Sequence, residues 1–146
     1  MLNAAAIAAL IPHAGAMCLL EEIVAWDALH IVCRSGTHRR PDNPLRDRGC
    51  LHALSGIEYA AQAIAAHGAL TAGRERPRAG LLISLRDVDC HARTLDGPPG
   101  VLAVNAERIT GDLAGVLYGF RVRVGAVDVV AGRALVRLDA DAGRAA

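Results

Sequence analysis

A chain of 146 residues is long enough for one domain to bury a full hydrophobic core without disulfides or a structural metal. Its net charge of +1 gives no electrostatic footprint for nucleic acid, and all sixteen basic residues are Arg, which excludes lysine chemistry such as Schiff-base formation within the chain. Apolar residues make up 53% and aromatics only 3%, so Val, Leu, Ile and Ala must fill the core.

The opening MLNAAAIAAL is short and apolar but lacks the basic residues that begin a secretion signal, and no apolar run has the length to cross a bilayer. Ala4 to Leu10 is predicted to form a short helix, ended by the Pro12 region. Met17 to Trp26 and His30 to Ser35 are rich in Leu, Ile and Val. With Asp27-Ala28-Leu29 between them they read as two antiparallel strands. From Gly36 to Arg48 the chain turns polar, GTHRRPDNPLRDR, and reads as a surface loop of the kind that carries function on a rigid scaffold.

Ser55 to Leu70, SGIEYAAQAIAAHGAL, is predicted to be a helix closed by Gly68 or Gly73. It sets a single carboxylate, Glu58, among Ala, Gly and Ile side chains small enough for close approach to another surface. Enclosure in low dielectric disfavours the charged form, so an enclosed Glu58 would be a stronger base and a usable acid near neutral pH. Gln62 follows at i+4, where it could orient Glu58 or a ligand. His67, nine residues beyond Glu58, falls half a turn away and reads as a core or helix-end histidine, and Tyr59 as core or interface.

After the polar break RERPR, strands follow at Leu81 to Cys90, Val101 to Ile109 beyond a Gly97-Pro98-Pro99-Gly100 turn, Val116 to Val124, and Val127 to Leu138. The terminal DAGRAA reads as a frayed tail. Two strands, one long helix and four strands make an α+β order, most economically an antiparallel sheet curled around one central helix in a single domain spanning 1–146.

The four cysteines, Cys18, Cys33, Cys50 and Cys90, lack CxxC spacing and read as free thiols of a cytoplasmic protein. Cys50-x-His52 and Cys90-His91 are too sparse for a zinc site, so no metal is expected. A Cys50 nucleophile near a helix start is chemically allowed and otherwise unsupported. Arg39, Arg40, Arg46, Arg48, Arg74, Arg76 and Arg78 flank the helix in sequence, either as solubilising charge or as a surface for an acidic carrier or its phosphate.

IPHAGAMCLLEEIV at 11–24 resembles the Leu-Pro-His…Leu-Leu-Asp-x-Val opening of 3-hydroxyacyl-acyl carrier protein dehydratases of the hotdog fold. GIEYAAQAIAAHGAL resembles their central helix, and the fuller pattern of His38, Asn43-Pro44-Leu45, Gly49 and GIEYAAQ is most similar to the dehydratase-like proteins of aryl polyene biosynthesis. The likeness is dense from about Leu10 to Ala72 and thinner beyond.

The resemblance implies water elimination from a 3-hydroxyacyl thioester on an acyl carrier protein, by a His that takes the α-proton and a helix acid from the partner subunit. Glu58 takes the acid's place. In the His role the family's Gly-His-Phe-Pro is absent, its offset falling on Pro44, which leaves His38 as the first candidate and His52 as the second. Substrate contacts are implied for Gln62, for Gly56 through backbone N–H groups at the helix start, and for His13 near the channel. The resemblance further implies a homodimer or a heterodimer with another hotdog subunit, whose tunnel runs along the interface. Proton transfers alone suffice, so no cofactor is expected, and neither nucleic acid nor membrane is a partner. Thioester hydrolysis on the same scaffold, and a non-catalytic partner subunit of a dehydratase, are the alternatives.

Overall fold

Alternation of apolar and polar residues builds most of this structure, a computed structural model that describes residues 1–73, 81–111 and 115–137. In β6 (Val116–Val124) Tyr118, Phe120, Val122 and Val124 are buried while Arg121 and Arg123 face outward, the period-two pattern of a sheet with one covered side. The same alternation puts Leu102, Val104 and Ala106 of β5 (Leu102–Gly111) and Ile31, Cys33 and Ser35 of β3 (His30–Ser35) on the covered side. With β1 (Leu2–Asn3), β2 (Glu22–Trp26), β4 (Leu81–Cys90) and β7 (Val127–Arg137), these strands form one antiparallel sheet of seven in the order β1-β2-β3-β5-β6-β7-β4. β4 therefore follows the central helix in sequence yet lies at the far edge of the sheet, beside β7.

The sheet wraps α2 (Gly56–Thr71), the 16-residue Ala-rich helix, which packs against β3, β5 and β6. Buried residues surround most of its circumference, as expected for a helix at the centre of a domain. Gly56 lets its first turn approach the sheet: a Cβ there would stand 2.8 Å from Val130 Cγ1 and 3.4 Å from Val122 Cγ1. The helix stops at Thr71 because Gly73 takes a positive φ of 65°, its N–H bonded back to Leu70 O. This is the α+β hotdog architecture predicted from the order of elements and from the resemblance.

Two local details differ from the predicted elements. Where a strand was expected from Met17, residues Gly15–Met17 form a 3-10 turn and pairing begins only at Glu22. Leu19 is nonetheless buried, and its backbone is satisfied by side chains: Gln62 Oε1 accepts from Leu19 N at 2.9 Å, and Ser35 and Thr37 hydroxyls donate to Leu19 O. The two-residue β1 was not anticipated; it pairs Leu2 with Ile23, and its Asn3 caps α1 (Ala4–Ala8) by accepting from Ala6 N. The predicted tail, the break RERPR with Arg74, Arg76 and Arg78, and the Leu138 end of the last strand lie outside the described residues.

Candidate functional site

One stripe of α2 is left uncovered by the sheet: Glu58 is exposed, and Ala61 and Ala65, at i+3 and i+7 from it, are half-buried. Small side chains along this stripe leave a cleft of about 210 Å³ between the helix, the Pro12-His13 segment, and the sheet margin at Leu82, Leu85 and Val136. Its wall is aliphatic apart from Phe120 and two polar side chains, Glu58 and His13. Glu58 makes no hydrogen bond or ion pair with the described residues, so its carboxylate is uncommitted at the rim of an apolar groove. Within this subunit it is open to solvent rather than enclosed. The groove beside it is the feature that could surround it when occupied.

His13 is half-buried, and its Nδ1 is shielded from solvent without a hydrogen-bond partner. Its backbone is fixed: Cys18 Sγ donates to His13 O at 3.3 Å, and the preceding Ile11 is buried in the core. The ring therefore stands on an anchored segment at the cleft wall.

His38 has a different setting. Its ring is 0% exposed, and Nε2 donates to Gly100 O at 3.1 Å. Burial, and next the adjacent Arg39 guanidinium, hold its pKa below the ordinary imidazole value, so the neutral form is favoured. The loop around it is tied down by arginines. Arg39 donates to the carbonyls of Asp96 and Pro98, and Arg46 to His38 O, to Arg40 O and, at 2.7 Å, to Asp96 Oδ2. Burial acts to raise the Asp96 pKa, but the Arg46 hydrogen bond and charge outweigh it and hold the carboxyl below its usual range. His38 is not on the wall of the Glu58 cleft.

The remaining predicted residues are spread more widely. Gln62 is fully buried, and its amide is occupied by Leu19 N and, at 2.5 Å, by Met17 O, so it points away from Glu58 and braces the opening segment. Gly56 is buried under β7, and its N–H is bonded within the 3-10 turn Ala53–Ser55 that runs into α2. His67 is buried between Tyr118 OH, which donates to Nδ1 at 2.7 Å, and Asp27 O, which accepts from Nε2 at 2.8 Å. His52 is exposed in a shallow surface depression with Cys90 and His91; among the described residues no group of three or more His, Cys, Asp or Glu is arranged to hold a metal ion. All four cysteines are free thiols, and burial pushes Cys33 up to about 12, which leaves it unreactive. Arg40 pairs with Glu21 at 3.6 Å.

Sequence reasoning missed one polar network. Tyr59 OH accepts from Asn43 Nδ2 at 3.0 Å and donates to Thr37 Oγ1 at 2.8 Å, while Thr37 bonds onward to Leu19 O. Burial raises the Tyr59 pKa, so the phenol stays protonated and knits the polar loop to α2. The Asn-Pro pair was its available signal: Asn43 Oδ1 accepts from Leu45 N in an Asx turn that aims the amide inward.

The family described as ApeP-like, ApeP dehydratase, matches residues 5–138. No curated protein matches the chain. Among solved structures, the fold is similar to the dehydratase heterocomplex ApeI:P of Xenorhabdus doucetiae, with a TM-score of 0.79 at 20% identity over 97% of this chain and 94% of that one. The Campylobacter jejuni protein Cj0977, described as a virulence protein, aligns with a TM-score of 0.62 at 14% identity, covering 94% and 89%. A hypothetical thioesterase from Streptococcus pneumoniae, solved with coenzyme A, aligns at 0.55 and 15% identity, covering 81% and 86%. At these identities the structural likeness speaks to the fold alone.

Proposed function

This chain belongs to the ApeP-like dehydratase family, and on that premise we propose that it removes water from a 3-hydroxyacyl thioester carried by an acyl carrier protein, with Glu58 as the helix-borne acid. The observation that carries this reading is the position of Glu58: an unpaired carboxylate at the rim of a cleft whose wall is otherwise almost wholly aliphatic. An acyl chain fits such a wall by burial of apolar surface, which leaves its polar head at the carboxylate. Occupied in this way, the cleft excludes water from around Glu58, whose role is to deliver a proton to the departing hydroxyl. The imidazole that works with it is His38, whose Nδ1 is buried without a hydrogen-bond partner, once a subunit contact or loop movement uncovers the ring.

The reading includes a second hotdog subunit, identical or related, joined at the open edge of β4. That edge is ten residues long and exposes Leu82, Ile83 and Leu85, an apolar margin that a free sheet edge seldom leaves uncovered. Leu82 and Leu85 also line the cleft, so a subunit seated there would close the groove over the acyl chain.

Glu58→Gln tests the assignment. Supplied with a 3-hydroxyacyl thioester, the wild-type chain should develop enoyl absorbance, and the variant should lose about 10²–10⁴-fold in kcat while its circular dichroism is unchanged. Full activity in Glu58→Gln would remove the proposed acid. Release of free thiol from 3-hydroxyacyl and saturated acyl thioesters alike would instead assign hydrolysis.

A further inference from the structure

We propose that Arg46 and Asp96 are positioning residues of this site: their ion pair sets the loop that carries His38 against the body of the domain and so fixes the direction of the imidazole. The inference rests on the dehydration reading above, with His38 as its imidazole, and holds whichever subunit supplies the carboxylate.

Beyond the 3-10 turn Thr37–Arg39, the His38 loop has no helix or strand of its own, so other groups must hold its shape. Arg46 does this at three points. Its Nε donates to Arg40 O at 2.8 Å and one terminal nitrogen to His38 O at 2.9 Å, both within the loop. The other terminal nitrogen reaches Asp96 Oδ2 at 2.7 Å, fifty positions away in sequence. A guanidinium presents its donors in a rigid fork, so the three bonds fix the shape of the loop together with its position.

Asp96 is anchored in turn. Leu95 N donates to Leu51 O and Ala53 N to Arg93 O, both at 2.9 Å, which pairs its segment with the residues leading into α2. Among the ion pairs of the described residues, Arg46 with Asp96 is the least exposed, at 16% and 24%, and is therefore the least screened by solvent.

The same clamp sets the acceptor for the ring. Arg39 donates to Asp96 O and Pro98 O, beside the Gly100 carbonyl that accepts from His38 Nε2 at 3.1 Å. Gly100 has a φ of +120°, and a Cβ on it would lie 2.7 Å from Gly125 Cα, so its backbone is wedged against the turn between β6 and β7. With Nε2 committed as a donor, the neutral ring keeps its lone pair on Nδ1, the buried nitrogen that has no partner. A ring held in this way presents Nδ1 in one direction, and a displacement of about 1 Å can cost about 10²-fold in rate.

Bracing the fold and positioning the ring predict different behaviour for Arg46→Lys and Asp96→Asn, assayed beside the wild type on a 3-hydroxyacyl N-acetylcysteamine thioester. Arg46→Lys keeps the charge and loses the fork; it should lose about 10–10²-fold in kcat with KM little changed. The charges facing the ring, from Arg39, Asp96 and the cation at position 46, are all retained in that variant. A looser loop should therefore show as a wetter ring, with the acidic limb of the kcat/KM pH profile moving up toward the ordinary 6.5 from which burial lowers it. Asp96→Asn should lower kcat in the same sense, and the double variant should lose no more than Arg46→Lys alone, because the two residues act through one bond.

Thermal melting separates the two roles. If Arg46→Lys melts at a lower temperature while its kcat and acidic limb match the wild type, the pair only braces the fold and the proposal falls. Strict additivity of the two losses would overturn action through the shared bond. Full activity in His38→Gln would remove the imidazole that the pair places, and a wild-type chain that gives no enoyl product, alone or with a related hotdog subunit, would sink the dehydration reading itself.

Discussion

His67 shows how one buried side chain links distant parts of the fold and ties stability to pH. It joins α2 to Tyr118 on β6 and to the Asp27 carbonyl at the turn after β2, with its ring edge-on to the tyrosine at 5.6 Å. Burial lowers its pKa below the ordinary 6.5, as it does for His38. In both cases the unfolded chain binds protons more readily than the folded one once the pH drops below that value. Their stabilising effect is therefore complete above pH 6.5 and is lost progressively as the pH falls toward the depressed folded-state values. The melting temperature should be lower at about pH 5 than at about pH 7.5, and His67→Gln should flatten the slope between them. An unchanged slope in that variant would show that another group governs the acid limb. The nine-residue offset from Glu58 already separated His67 from the candidate site in sequence; its partner Tyr118, fifty-one positions away, became visible only once the sheet had closed.

Helix α2 was legible as an element because Ala, Ile and Gly allow few other readings across sixteen residues, and Glu58 was legible as its sole carboxylate. The direction of Gln62 was not. Sequence spacing puts Gln62 beside Glu58, yet Leu19 offers an unpaired N–H on the opposite side, and a buried donor of that kind must be met. Gly56 was equally opaque, since its role depends on the distance between helix and sheet rather than on any local signal. Gly56→Ala adds helix propensity worth about 1 kcal/mol. It also drives a methyl into Val130, whose β-branched side chain has little freedom to move aside. The overlap should win, with a net loss of about 1–2 kcal/mol in chemical unfolding. Combined with Val130→Ala, the cost should be less than the sum of the two single losses. Strict additivity would mean that the helix start has room that its 2.8 Å approach denies.

At the scale of the whole molecule, the two ends of the sheet differ in a way that bears on assembly. One end is β1, two residues long and joined directly to α1, while the other is β4, ten residues long, apolar in its first half and unpaired on its outer side among the described residues. Strand composition predicted β4 correctly, but its place at the edge follows from topology, because the chain crosses the sheet after α2 and returns through β5, β6 and β7. Register shifts between Leu82 and Ser84 and between Arg86 and Asp89, the second with a positive φ at Asp87, interrupt its pairing with β7 at two places. Ile83, 47% exposed, sits at the first of these shifts and does not line the cleft, so a charge placed there tests assembly without altering the acyl wall. In sedimentation the wild-type chain should run as a dimer, alone or with a related hotdog partner, and Ile83→Glu should shift it toward the monomer. On the proposal that a second subunit closes the groove beside Leu82 and Leu85, turnover should fall in step with dissociation and recover at high protein concentration. A wild-type chain that is monomeric and fully active, with Ile83→Glu indistinguishable from it, would show that the cleft works open and that the β4 edge serves no subunit contact.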